Sequence, residues 1–515
     1  MKRHLVFVLA LALLTGLAAC REASQSDTNT SQAAPADLEP VSLEPIELEP
    51  CQHEGIEGDL LCATATVFED REARDGRTID LRILVVPARG GTSAPDPIFA
   101  LVGGPGGNAV EFAPFWVQQY EQSLMQTHDF VFIDQRGTGG PSVLTCDTTG
   151  SMDDLQGYFE PYFTPEQVKA CRANLETKAD LRLYTTSIAA DDLNEIRARL
   201  GYDQINLIGS SYGTRTAQIY MRRHTESTRS TILLGTAGMD QYLPLFHARD
   251  AQAGLDGLFE DCAAEPACAA AFPDLEGDLE RAYALLDTRP TVSVPHPQSG
   301  EPVDIQLGRD AWAEGLRWVT YNPMGSTLAP ILVHQSGQGD FTTIARMVLS
   351  TQPEVRKLMA FGMHLSVVCA EDAPFYDQSD IDRLTRDTYL ADYRVRIVVE
   401  SCTDWPRGEI PDDFHRPITV DVPTLLLSGE LDPVTPPLWA DVADAALPNS
   451  RHIVVQDGSH GGNGFDDPSC FNGLIAQFLD STDPASIDAS CVEAYDRPPF
   501  ATDSEAVAML LGGLT

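Results

Sequence analysis

The sequence contains no Cys-x-x-Cys pair and no cluster of histidines, so nothing in it reads as a metal centre. Basic residues are scarce: 35 Lys+Arg stand against 76 Asp+Glu, a formal net charge of -41. Such a balance repels phosphate backbones and disfavours nucleic acid as a partner. No apolar run spans a bilayer comfortably, since the N-terminal stretch Leu5–Leu14 is too short. Hydrophobic residues at 43% and aromatics at 8% are close to average, which excludes both wholesale disorder and a polytopic membrane protein. With 515 residues the chain is long enough for about three domains or for one large domain carrying an insertion.

Lys2, Arg3 and His4 precede the run Leu5–Leu14, and Leu17-Ala18-Ala19-Cys20 follows. This is the layout of a signal peptide over residues 1–19, with Cys20 as the lipidation site of a bacterial lipoprotein. The expected location is therefore outside the cytoplasm, with a lipid anchor in a membrane on the periplasmic or cell-surface side. Residues 20–62 read as the lipidated cysteine and a Pro-rich tether, with Leu-Glu-Pro at 38–40, 43–45 and 48–50. Ten further cysteines form an even set, which in an oxidising compartment points to disulfides. The sequence leaves their connectivity open. Nearest-neighbour pairs are expected, Cys51 with Cys62, Cys146 with Cys171, Cys262 with Cys268, Cys369 with Cys402 and Cys470 with Cys491, because short loops close most cheaply.

Short apolar strands begin near residue 79: Leu81–Val86, Ile98–Val102, Phe130–Ile133, Ile205–Ile208 and Thr231–Leu234, then Thr424–Leu427 and His452–Val455. Several are continuous apolar runs, as parallel strands covered on both faces require. The segment 239–415 lacks that rhythm and holds helix-like stretches at Ala251–Phe259 and Arg309–Val319. The expected organisation is an α/β protein with a mostly parallel, doubly wound sheet: core residues 63–238, a large, mainly helical cap over 239–415, core again over 416–500 and a C-terminal tail at 501–515.

Gly209-Ser210-Ser211-Tyr212-Gly213 lies between the strand Ile205–Ile208 and a plausible helix at Thr214–Arg223. A G-x-S-x-G at that junction places its serine on a strained turn, which makes Ser211 the candidate nucleophile. A serine needs a base, and two late strands each lead into a suitable residue. Thr424–Leu427 runs towards Asp432, and His452–Val455 towards His460. Asp432 would orient the imidazole, and His460 would act as base and then acid. The oxyanion needs two main-chain donors. The candidates are Tyr212, directly after the nucleophile, and Gly104 in the run Gly103-Gly104-Pro105-Gly106-Gly107. That run is not a phosphate loop, because no Lys-Ser/Thr closes it. No cofactor is implied.

Five segments together resemble the prolyl aminopeptidase and tripeptidyl aminopeptidase family of serine peptidases on the α/β-hydrolase fold. They are Gly103–Gly107, Asp134-Gln135-Arg136-Gly137-Thr138-Gly139, Gly209–Gly213, Gly429–Pro436 and Gly458-Ser459-His460. Val102 stands where family members often carry histidine. The resemblance implies an exopeptidase that takes short peptides by their free N-terminus through an acyl-enzyme. It also implies acidic cap residues that hold the amine. Val368-Cys369-Ala370-Glu371-Asp372 is similar to the corresponding motif, which nominates Glu371 and then Asp372. Two other functions fit the same residues: an esterase or other acyl hydrolase with this triad, and a non-catalytic, peptide-binding lipoprotein.

Overall fold

The structure is a computed structural model, and it describes residues 44–462, 468–495, 497–503, 505 and 507. The expected signal peptide, Cys20 and the expected tether up to residue 43 lie outside the described residues. The chain forms β1 (Glu49–His53), β2 (Ile56–Phe68), β3 (Thr78–Val86), β4 (Ile98–Leu101), β5 (Phe130–Ile133), β6 (Ile205–Ser210) and β7 (Thr228–Leu234). An inserted hairpin, β8 (Thr291–Pro295) with β9 (Pro302–Gln306), precedes β10 (Thr424–Gly429) and β11 (Ser450–Val455). Among the described residues, nine strands make the main sheet in the order β1-β2-β3-β5-β4-β6-β7-β10-β11. From β5 to β11 every neighbour is parallel, while β1, β2 and β3 add an antiparallel edge. Phe130–Ile133, Ile98–Leu101 and Leu425–Leu427 are wholly buried because both sheet faces are covered, which explains their unbroken apolar runs.

Two expected boundaries need correction. Residues 49–62, assigned to the tether, form β1 and the first half of β2. The hairpin register sets Cys51 opposite Leu60, and the Cys51–Cys62 disulfide staples the two strands. Ile56 and Leu60 are buried against the core, so this segment is part of the folded body. The third Leu-Glu-Pro runs into β1 instead of extending a spacer. The tail assigned to 501–515 also begins inside the fold: Ala501 donates its N–H to the Thr327 carbonyl at 3.1 Å, and Ala501 and Val507 are buried. The rest of that tail, apart from residues 502, 503 and 505, lies outside the described residues.

Between β7 and β10 the insertion is mainly helical and has its own core, in which Leu255, Trp312, Leu316, Leu332 and Val348 are buried together. The structure closes five disulfides, Cys51–Cys62, Cys146–Cys171, Cys262–Cys268, Cys369–Cys402 and Cys470–Cys491. Such bonds form and persist in oxidising compartments, which suggests an exported protein. Among the described residues no helix is long and apolar enough to cross a membrane.

The Asp134–Gly139 segment holds the framework of the site. Asp134 accepts from Arg82 at 2.7 Å and from the Val110 N–H at 3.0 Å, fixing the start of the helix Ala109–Tyr120 beyond the glycine loop. Arg136 is fully buried and makes paired bonds to Asp192 at 2.7 and 3.0 Å, with further bonds to the Glu69 and Leu183 carbonyls. Removing one partner of a buried pair typically costs about 3–5 kcal/mol, because the other charge stays behind. Asp192→Ala should therefore lower the unfolding free energy by that order, read from denaturant titration, and an unchanged value would remove this role from the Arg136 pair.

Candidate active site

Ser211 follows β6 with φ 56° and ψ -128°, a conformation that residues other than glycine adopt rarely. Its neighbours show why the flanking glycines are needed. A Cβ on Gly209 would lie 2.5 Å from the Gly213 carbonyl oxygen, and one on Gly213 would lie 2.0 Å from that of Leu101. The helix Tyr212–Arg223 starts immediately after the serine, so the Tyr212 N–H belongs to the first turn, where amides have no partner within the helix. The loop after β4 packs directly on this elbow: a Cβ on Gly103 would stand 3.0 Å from Ser211 Cβ and 3.4 Å from its Oγ. Gly104 has φ +132°, where a side chain would meet the Gly106 and Gly107 nitrogens at 2.8 and 2.9 Å.

Asp432 lies in the turn after β10, and His460 in the turn after β11. His460 Nδ1 is 3.0 and 2.9 Å from the two Asp432 carboxylate oxygens. An ionised carboxylate only accepts, so Nδ1 carries the proton and Nε2 is left as the acceptor. Asp432 also accepts from the Val434 and Thr435 N–H groups, each at 2.9 Å, and from the Thr435 hydroxyl at 2.7 Å. Burial pushes the Asp432 carboxyl up, but His460 and the Thr435 and Val434 amides outweigh it and hold the group below its ordinary value. Tyr321, from the cap, closes over the imidazole with ring centres 4.6 Å apart and accepts the His460 N–H on its carbonyl at 3.2 Å.

Ser211, His460, Gly103 and Gly104 share one cavity of about 340 Å³. Cap residues form its roof, and the cap is tied to the glycine loop: Ala360 donates its N–H to the Gly106 carbonyl at 2.9 Å, and His364 Nδ1 donates to that of Pro105 at 3.1 Å. Burial lowers the His364 pKa to about 4, which leaves that ring neutral at ordinary pH.

Glu371 and Asp372 occupy a different place from the one the sequence suggested. Both are fully buried, and neither lines the cavity. Glu371 accepts from the Thr186 N–H at 2.6 Å and hydroxyl at 2.7 Å, and that hydroxyl lies 2.6 Å from the Tyr212 phenol oxygen. Asp372 takes Arg215 at 2.9 and 3.1 Å and the Leu243 N–H at 2.9 Å. They brace the nucleophile helix against the cap, Glu371 through Thr186 and Tyr212 and Asp372 through Arg215. Three features escaped sequence reasoning: Thr435, Tyr321 and the Glu314–Arg317–Arg394 group. The Thr435 contact has a sequence signal, since Asp-x-x-Thr is an Asx-type turn in which the carboxylate bonds amides two and three residues on. The other two join residues far apart in the chain.

Burial raises the Glu371 pKa from 4.5 to about 7, partly offset by Arg215 and the Thr186 bonds. The folded protein thus favours the neutral acid. The stabilisation is fully present below pH 4.5 and is lost as pH rises towards about 7. Glu371→Gln should flatten the fall in unfolding free energy across that window relative to wild type. An identical slope in denaturant titrations at several pH values would contradict the shift.

The sequence pattern of the α/β hydrolase fold family matches residues 96–467. Serine protease Hip1 of Mycobacterium tuberculosis is 24% identical over 460 residues, covering 82% of this chain and 86% of that protein. Tripeptidyl aminopeptidase of Streptomyces coelicolor is 23% identical over 452 residues, covering 77% and 76%. Among solved structures, proline iminopeptidase from Mycobacterium smegmatis covers 82% of this chain and 99% of its own, with a TM-score of 0.39 and 16% identity. A match running from just before β4 to beyond β11 takes in the parallel sheet and the insertion, and the chain belongs to the α/β hydrolase fold family.

Proposed function

We propose that the protein is an exported serine peptidase that cleaves short peptides through an acyl-enzyme on Ser211. In this reading His460 Nε2 takes the Ser211 proton as Oγ attacks the peptide carbonyl. The oxyanion is met by the Gly104 and Tyr212 N–H groups. His460 then gives the proton to the departing amine, and water repeats the sequence to free Ser211. The single observation that carries the reading is the Asp432–His460 bond, made in the same cavity that Ser211 and Gly104 line. The cap roof favours narrow chain ends over folded proteins, and the named relatives are peptidases. The name of the Streptomyces relative favours release of short N-terminal fragments, and the resemblance read from the sequence admits the tripeptidyl or the prolyl aminopeptidase kind. Among the described residues the cavity wall presents no carboxylate to an arriving ammonium, so the amine requirement is a separate question.

A fluorophosphonate probe should label the wild type and fail on Ser211→Ala; equal labelling of both would exclude Ser211 as nucleophile. Asp432→Asn offers the ring the wrong hydrogen-bond pattern and should lower kcat by about 10⁴-fold, with little change in denaturant midpoint. Unchanged turnover in that variant would remove Asp432 from the mechanism. Free-amine and acetyl-blocked tripeptide anilides, compared with a short acyl ester, separate the finer activities. Cleavage of the free-amine form alone marks an aminopeptidase, equal cleavage removes that form, and turnover confined to the ester marks an esterase.

A further inference from the structure

A chain with 76 acidic and 35 basic residues presents, on the described wall of its catalytic cavity, two arginines and no aspartate or glutamate. Arg317 comes from the cap helix Arg309–Val319, and Arg394 from the cap helix Tyr393–Cys402. Both converge on one carboxylate, Glu314. Arg317 meets it at 3.0 and 2.5 Å, and Arg394 Nη1 meets its two oxygens at 2.8 and 3.1 Å. Guanidinium groups stay charged in proteins, so the pair carries one positive charge more than Glu314 neutralises. A third guanidinium, Arg356, lies over Tyr162, 5.0 Å from its ring centre, and acts on the same phenol as Glu314, Arg317 and Arg394. Two histidines of this wall, His364 and His247, add nothing to the charge: burial lowers His364 to about 4 and His247 well below its ordinary value.

This surplus is desolvated and unfinished. Arg317 is 1% exposed, and the Arg394 side chain retains only 23% of its free surface. Arg394 Nε and Trp318 Nε1 are buried donors without a hydrogen-bond partner, and both residues line the cavity. A buried donor left unmet is costly and calls for an explanation. The group also stands close to the chemistry. Arg317 Nη1 donates to the Tyr321 hydroxyl, and the Tyr321 ring packs on His460.

We propose that Arg394, backed by Arg317, binds a carboxylate of the substrate while Ser211 attacks, so that the enzyme prefers peptides with a free carboxylate near the scissile bond. This rests on the peptidase reading above and names the substrate class within it. A guanidinium recognises a carboxylate through two parallel N–H···O bonds and repels an ammonium at the same place. The carboxylate belongs either to the acyl side or to the departing C-terminal end, and the two sources are separable.

The test uses the full mature chain and two substrate pairs, each differing by one charge. N-succinyl and N-acetyl tripeptide anilides place the charge on the acyl side. An N-acetyl tripeptide and its C-terminal amide place it on the departing side. In at least one pair the anionic member should have a kcat/KM higher by about tenfold or more, and the advantage should shrink as salt is raised. Arg394→Gln should bring that ratio towards one and Arg394→Lys should restore part of it, with fluorophosphonate labelling showing that each variant is folded. The proposal is overturned if the neutral members are equal or better in both pairs, or if the ratio is unmoved in a labelled Arg394→Gln. Calorimetric binding of the same compounds to Ser211→Ala separates the two claims. Preferential binding of the carboxylates, with wild type turning over neither these compounds nor the free-amine tripeptide anilide, sinks the peptidase reading alone, and indifferent binding and turnover sink the carboxylate site alone.

Discussion

The backbone of Ser211 sits where side-chain-bearing residues rarely go, and the structure around it is arranged to keep it there. Its cost, of order 1–3 kcal/mol, must be offset by surroundings that permit no other path. β6 is held between β4 and β7, the Ser211 N–H bonds the Leu234 carbonyl at 2.9 Å, and Gly213 lies against the Leu101 carbonyl with no room for a methyl group. The same close approach brings Gly103 onto Ser211. The turn that exposes the hydroxyl therefore also fixes its distance from the main chain meant for the oxyanion. Gly106 extends the chain of contacts to the cap, because a Cβ there would stand 2.7 Å from the Ala360 carbonyl oxygen.

Charge is distributed with comparable consequence. The surface is strongly acidic, yet the acids buried near the site all have partners: Asp432 with His460 and Thr435, Asp372 with Arg215, Glu371 with Thr186, and Glu314 with two arginines. Each of these carboxylates is already engaged by at least two donor atoms. The unmet capacity on the cavity wall belongs to donors, which is why the pocket suits an acceptor better than an ammonium.

Much of the sheet was legible because buried parallel strands leave continuous apolar runs. Phe130–Ile133 and Ile205–Ser210 could hardly be read otherwise. β1 and the start of β2 were not, since an antiparallel edge strand needs only a few inward residues and here reads Glu-Pro-Cys-Gln-His, like the linker before it. The three loop residues Ser211, Asp432 and His460 were legible because each follows a strand, and strand ends on one sheet edge converge in space. The buried setting of Glu371 was not legible, for the opposite reason. Its position near the end of a cap helix is local information, whereas its partner Thr186 lies 185 residues away and no periodicity links the two. The arginine pair on Glu314 spans two cap helices and was hidden in the same way.

The account stands on a covalent bond to one oxygen atom. Mixing the enzyme with a slowly deacylating active ester, quenching in acid within the first turnover and mapping the peptides by mass should place the acyl group on the fragment containing Ser211. An acyl group found on another residue, or steady turnover with none on that fragment, would contradict it.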